Sequence, residues 1–205
     1  MGLEREWASF ENRLKQLTKV PGLPGHEGMA RELMHGWLIP LADQVQTDRL
    51  GSLIARKGKQ GPRVMIAAHL DEVGFMVTCI TEEGFLMFQP LVGWWSQVLP
   101  AQRVEVLTRK GKVLGVIGSK APHTLSKEDK NRSVTLEHLY VDIGAESREE
   151  AETMGIRPGD PVAPISPFTE LGNPNRWLAK AMDNRLGCAV LVEVMERLKE
   201  KNLPN

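Results

Sequence analysis

Two short acidic signatures, about a hundred residues apart, hold the side chains of this 205-residue chain that could do chemistry: Ala68-His69-Leu70-Asp71-Glu72-Val73-Gly74 and Ala181-Met182-Asp183-Asn184-Arg185-Leu186-Gly187. A histidine followed two residues later by an aspartate, on a strand, puts both side chains on one side. The histidine can then bind a metal ion while the aspartate accepts its other ring N–H, which fixes the tautomer and makes the imidazole a better ligand. The same residues also fit plainer roles, a hydrogen-bonded polar pair at a strand end and, for Asp183, the N-cap of a helix. The combination points further. A carboxylate can bridge two cations, and a two-metal hydrolase needs a shared ligand to hold its ions roughly 3.5 to 4 Å apart. Asp183 is the candidate bridge, so the two signatures together read as half of a metal site.

Composition narrows the classes. Lys plus Arg number 26 and Asp plus Glu number 26, so no basic field argues for nucleic acid and no polybasic run argues for an anionic membrane. The first residues lack a basic stretch followed by an apolar one, and no apolar run is long enough to span a bilayer. A cytoplasmic protein is expected. Cys79 and Cys188 each lie in apolar runs and read as small buried hydrophobes in a reducing compartment.

The elements that must carry the two signatures follow from periodicity. Trp7, Phe10, Leu14 and Leu17 recur at helical spacing and predict an amphipathic helix over 4–19, stopped by Val20-Pro21-Gly22-Leu23-Pro24-Gly25. Met29, Leu33 and Trp37 mark a second helix ending before Pro40. Short strands are expected at 45–47 and 52–56 around the turn Asp48-Arg49-Leu50-Gly51. Arg63 to His69 is a continuous apolar run, the pattern of a central strand covered on both faces, with His69 and Asp71 at its carboxyl end where ligands gather in open α/β sheets. From residue 73 the texture becomes β-rich: 73–80, 84–90, 103–108, 112–117 and 138–143 read as strands, followed by a short helix at 148–154 and a closing turn at 157–160. The last helix begins after Asp183, with Cys188, Ala189, Leu191, Val192, Met195 and Leu198 on its apolar face and Glu193, Glu196 and Glu200 as solvated charges. The fold class is α/β, a domain interrupted by an inserted β-domain whose strand spacing suits a compact barrel or sandwich. Its boundaries are 1–72 for the first part, 73–166 for the insertion and 167–205 for the return.

Ala68-His69-Leu70-Asp71-Glu72-Val73-Gly74-Phe75-Met76-Val77, with Ala181-Met182-Asp183-Asn184-Arg185-Leu186-Gly187-Cys188-Ala189, closely resembles the tetrahedral aminopeptidases, the di-metal glutamyl and deblocking aminopeptidases, some of which carry an endoglucanase label. Gly115-Val116-Ile117-Gly118, Pro122-His123 and Leu139-Tyr140-Val141-Asp142-Ile143-Gly144-Ala145 resemble that family's PDZ-like insertion domain. The resemblance implies a zinc-exopeptidase-like mixed-sheet domain interrupted by a PDZ-like β-barrel, with His69 a ligand of one metal, Asp71 the group that orients it, and Asp183 the bridge between two Zn or Co ions. It also implies a Glu-Glu pair carrying the general base and a ligand, then a later Asp and His, all downstream of the Asp-Asn-Arg motif. After Asp183 this chain has no histidine and no adjacent Glu pair. Pro24 stands where the family usually has Ser, and Ser52 where it usually has Asn. His26, His35, His123 and His138 read as ordinary loop or surface residues. Trp94-Trp95, in a loop, reads as a patch for subunit contact ahead of the alternative, barrel packing.

The function implied is a metallo-aminopeptidase acting on peptide N-termini, with this chain resembling its N-terminal portion and expected to be inactive alone. The alternative is a non-catalytic assembly or split-gene subunit, pairing as a homo-oligomer through the insertion domain or with a complementary C-terminal segment. A glycoside hydrolase needs two carboxyl groups facing one another across a sugar, whereas Asp71 and Glu72, adjacent on a strand, point to opposite sides. A sheet lacking its later neighbours would leave strand 64–69 an open edge and make the chain prone to self-association. With His69 and Asp183 as the only ligands, metal binding would be weak.

Overall fold

The computed structural model describes residues 2–120, 123, 133–199 and 201; Pro122 and Glu200 lie outside them. Two compact units emerge, one from residues up to Glu72 together with those from Ser166 onward, the other from Val73–Ile165. Among the described residues no helix is long and apolar enough to cross a membrane.

In the first unit the helical periodicities give α1 (Gly2–Lys19) and α2 (Gly28–Leu38), and the return of the chain ends in α4 (Met182–Lys199). Leu14 and Leu17 of α1, Met34 and Leu38 of α2, and Cys188, Ala189 and Val192 of α4 form one buried cluster. Each fully buried leucine there contributes about 1.5–3 kcal/mol relative to exposure. Trp7 departs from the expected stripe; it is exposed, with its ring edge-to-face with Phe10 at 6.1 Å. Glu193 and Glu196 are not simply solvated. Both pair with the buried Arg13 of α1, at 3.3 and 2.5 Å.

Strands β1 (Gln44–Thr47) and β2 (Leu53–Arg56) pair as a hairpin around Asp48, whose carboxylate accepts the N–H groups of Leu50 and Ser52. The central strand expected at 63–69 is not formed. Residues 57–73 belong to no ladder, and Val64 and Met65 are 84% and 89% exposed. A parallel-type central strand exists only through hydrogen-bonded neighbours on both edges, and no described segment runs beside this one. Ala68 and Leu70 nonetheless pack on the helical cluster, anchoring the end that carries His69.

The second unit is a closed antiparallel barrel. Its strands are β3 (Gly74–Ile80), β4 (Leu86–Leu91), β5 (Arg103–Thr108), β6 (Gly111–Ser119), β7 (Leu139–Asp142) and β8 (Pro161–Pro164), joined in the order β3-β4-β7-β6-β5-β8 with β8 returning to β3. Closure rests on β8, a strand that periodicity does not predict and that begins directly after the turn expected at 157–160. Two prolines without N–H groups disguise this strand, yet Val162 pairs with both Phe75 and Val106. Phe75 lies at the centre of the barrel core, edge-on to Phe88 at 4.9 Å and stacked on Trp94 at 5.0 Å, while Trp95 is 70% exposed. Cys79 is exposed, not buried. A bulge between Val77 and Cys79 inserts one residue into β3, so Ile80 takes the inward position that alternation assigned to Cys79. Helix α3 (Arg148–Thr153) is capped by Ser147, which accepts the Glu150 N–H at 3.2 Å. Strands β9 (Thr169–Glu170) and β10 (Trp177–Leu178) form a short hairpin back in the first unit.

Candidate metal centre

Although 114 residues separate them in the chain, His69 and Asp183 meet within the first unit. His69 Nδ1 lies 2.8 Å from Asp71 Oδ1, and His69 Nε2 lies 3.1 Å from Asp183 Oδ1. With a carboxylate at each ring nitrogen, the imidazolium satisfies both by donating two N–H bonds. Desolvation pulls the His69 pKa down, but its hydrogen bonds to the Asp71 and Asp183 carboxylates and their negative charge together outweigh it, so the pKa is raised above the ordinary histidine value.

The plainer role for Asp183 falls to its neighbour. Asp183 and Asn184 have non-helical backbone angles, and the side-chain oxygen of Asn184 accepts the Gly187 N–H at 3.2 Å, so Asn184 caps the helical part of α4. The Asp183 carboxylate is left exposed, with His69 as its hydrogen-bond partner.

The donor set present, one imidazole nitrogen and one carboxylate oxygen in mutual reach, suits a borderline divalent cation such as zinc or cobalt. The cation would take the place of the shared proton. Among the described residues no cluster of three or more His, Cys, Asp or Glu is arranged to hold an ion, so these two fit such a site without completing it. His26 and His35 stand apart from the pair, and His138 Nδ1 lies 3.0 Å from Thr135 Oγ1 in the barrel unit.

Sequence reading missed what lies behind the pair. Glu72, next to Asp71, turns inward and is buried, as the opposite-side argument requires. Its Oε1 accepts Lys180 Nζ at 2.5 Å and the Gly22 N–H at 3.1 Å, while its own N–H donates to Gly22 O at 2.8 Å. Arg185, 0% exposed, donates from Nε to Leu70 O at 2.9 Å and from Nη1 to Leu17 O at 2.5 Å and to Val20 O. Burial lowers the Arg185 pKa, opposed chiefly by the attraction of Glu72. One signal was available: Arg185 precedes Cys188, Ala189 and Val192 at spacings of three, four and seven, which places a cation on the buried stripe of α4. A charge in that position needs a buried partner.

The chain belongs to the M42 glutamyl aminopeptidase family, whose model matches residues 51–205. It is 40% identical over 191 residues to the putative aminopeptidase FrvX of Escherichia coli, covering 93% of this chain and 53% of that protein. It superposes with a TM-score of 0.89 and 43% identity on the crystal structure of a TET aminopeptidase from a marine-sediment Thaumarchaeota archaeon, covering 94% of this chain and 55% of the other. The Pyrococcus horikoshii TET1 peptidase, which can assemble into a tetrahedron or a large octahedral shell, matches at 33% identity and a TM-score of 0.83, over 93% of this chain and 57% of its own. The chain thus spans about half the length of the relatives it matches.

Proposed function

We propose that this chain supplies the His69, Asp71 and Asp183 corner of a di-metal aminopeptidase centre that hydrolyses N-terminal residues from peptides. The observation that carries the reading is the 3.1 Å approach of His69 Nε2 to Asp183 Oδ1, with Asp71 seated behind the same imidazole. His69 and Asp183 would hold the cations, with Asp183 as the shared ligand, and Asp71, by accepting the Nδ1 proton in a hydrogen bond, would leave Nε2 free to ligate. When bound, divalent ions such as zinc or cobalt polarise the scissile carbonyl. After Asp183 the chain carries neither an adjacent Glu pair nor a histidine to serve as the general base and remaining ligands that the family resemblance implies. Against glycoside hydrolysis, Glu72 is committed to Lys180 in the interior and cannot face Asp71 across a sugar.

The barrel is read as a PDZ-like assembly module. Its exposed Trp95, Val92 and Val98 support that reading, as does the assembly of the Pyrococcus relative. A cytoplasmic location fits the buried free thiol of Cys188.

The test is turnover of glutamyl, aspartyl and leucyl peptide substrates with added Co²⁺ or Zn²⁺, by the chain alone and mixed with a polypeptide covering the remaining length of a relative. The expected result is no turnover alone and turnover on mixing, abolished by His69→Ala and by Asp183→Ala. Turnover that survives both substitutions would remove these residues from the centre.

A further inference from the structure

His69, Asp71 and Glu72 lie on a segment without a sheet partner among the described residues, yet His69 must stay within bonding distance of a carboxylate 114 positions away. What holds the segment is a set of side-chain bonds that all run to the same two places. Arg185 Nε binds Leu70 O, Cys188 Sγ donates to His69 O at 3.3 Å, and Lys180 Nζ binds Glu72 Oε1. Gly22 exchanges bonds with Glu72 through both its N–H and its carbonyl. Lys180 and Arg185 bracket Asp183 at three residues before and two after, and both also donate to Val20 O. The 69–72 segment, the 17–22 segment and the start of α4 are therefore tied at one buried knot.

We propose that Glu72, Lys180 and Arg185 form a positioning cluster that sets the separation of His69 from Asp183. Given the reading under Proposed function, the cluster thereby governs capture of a divalent cation by that pair. Buried ion clusters add little to stability compared with apolar packing, because desolvation offsets their attraction. Their fixed donor and acceptor directions do constrain geometry. Here the guanidinium fork joins two chain segments through one rigid plane, whose fixed donor directions hold them in a way that a lysine's rotatable ammonium does not. The pair it supports has no tolerance to spare, since groups acting on one ion must be held to a fraction of an ångström.

The experiment has two arms on the full 205-residue chain. In the first, Co²⁺ affinity is measured by competition with a chromophoric chelator for the wild type, Arg185→Met, Glu72→Gln and Arg13→Met, at a temperature where circular dichroism shows each folded. Arg13→Met is the structural control, because Arg13, itself buried, pairs with Glu193 and Glu196 at a part-buried position rather than with the cluster's three residues. Arg185→Met and Glu72→Gln should each weaken Co²⁺ binding about tenfold or more, while Arg13→Met lowers the melting temperature and leaves affinity unchanged. The second arm needs no metal. In a Cys79→Ser background, the double variant His69→Cys/Asp183→Cys is bridged with dibromobimane, which fluoresces on linking two nearby thiols; single-cysteine variants correct for Cys188. Adding Arg185→Met should collapse the yield. Should that variant fail to fold, Arg185→Lys keeps the charge, lacks the fork and is expected to behave the same way. Unchanged bridging in folded Arg185→Met or Arg185→Lys protein would overturn the proposal. Absence of Co²⁺ binding by the wild type would count against the metal reading alone, leaving the bridging arm to decide the positioning role.

Discussion

Replacing Gly22 by alanine should destabilise the first unit by about 1.5–5.5 kcal/mol, and the structure shows where that figure comes from. A Cβ at Gly22 would sit 2.6 Å from Arg185 Nη2, nearly an ångström inside normal contact. The guanidinium cannot retreat, because Nε and Nη1 are bonded to Leu70 O and Leu17 O at 2.9 and 2.5 Å. Overpacking of this kind costs about 1–3 kcal/mol, and forcing the fork off one of its carbonyls costs roughly 1.5–3 kcal/mol more for a charged hydrogen bond. In the other direction, Gly22 has no left-handed φ, so alanine restricts the unfolded chain and returns about 0.4–1 kcal/mol. Urea unfolding gives the total. Hydrogen exchange of peptides from α1 and α2 assigns it to the first unit, since two units need not unfold together. The sharper reading is a double-mutant cycle: with Arg185→Met the obstacle is gone, and the cost of Gly22→Ala should fall by at least about 1 kcal/mol. A neutral or stabilising Gly22→Ala, or strict additivity with Arg185→Met, would refute the account of the knot.

Three further outcomes are expected. Cys79 is exposed and Cys188 buried, with the Cys188 thiol pushed up to about 11 by burial against a smaller opposing pull from Arg185, so at pH 8 a thiol reagent should titrate one cysteine in the folded chain and the second only on unfolding. Because the folded thiol holds its proton above the unfolded value of roughly 8.5, this contribution to stability is whole below that pH and declines as pH rises toward about 11; an identical slope in Cys188→Ala would contradict it. In the barrel, Phe75→Ala removes a ring 1% exposed and in contact with Phe88 and Trp94, and should cost about 3–5 kcal/mol in the transition followed by Trp94 fluorescence; a loss below about 1 kcal/mol would mean the barrel core is not centred there. Val64→Lys/Met65→Lys should shift sedimentation toward monomer, because those side chains present an apolar segment to water; unchanged association would place the contact elsewhere.

Much of the local structure was legible because it is written in short-range periodicity. Leu14 and Leu17 at helical spacing place α1 on the core, and the alternation in 103–108 and 112–117 gives β5 and β6 close to their observed bounds. The His-x-Asp spacing likewise fixes a local fact: the Nδ1 contact to Asp71 needs only an extended backbone between two residues. Where one inserted residue changes phase, that logic ends. The bulge in β3 leaves Cys79 in water, and the prolines of β8 hide a strand whose identity comes entirely from its neighbours.

Sequence by itself determined the helices, most of the barrel strands, the family and the two signatures. Only the tertiary structure decided that Asn184 rather than Asp183 caps α4, that Asp183 turns to His69, and that residues 63–69 run without a sheet. It alone brought Glu72, Lys180 and Arg185 into one buried cluster. The physical reason is the range of the forces involved. Side-chain periodicity acts over a few residues and is readable in any window, whereas burial of a charge is tolerated only where a partner from a distant segment arrives to meet it.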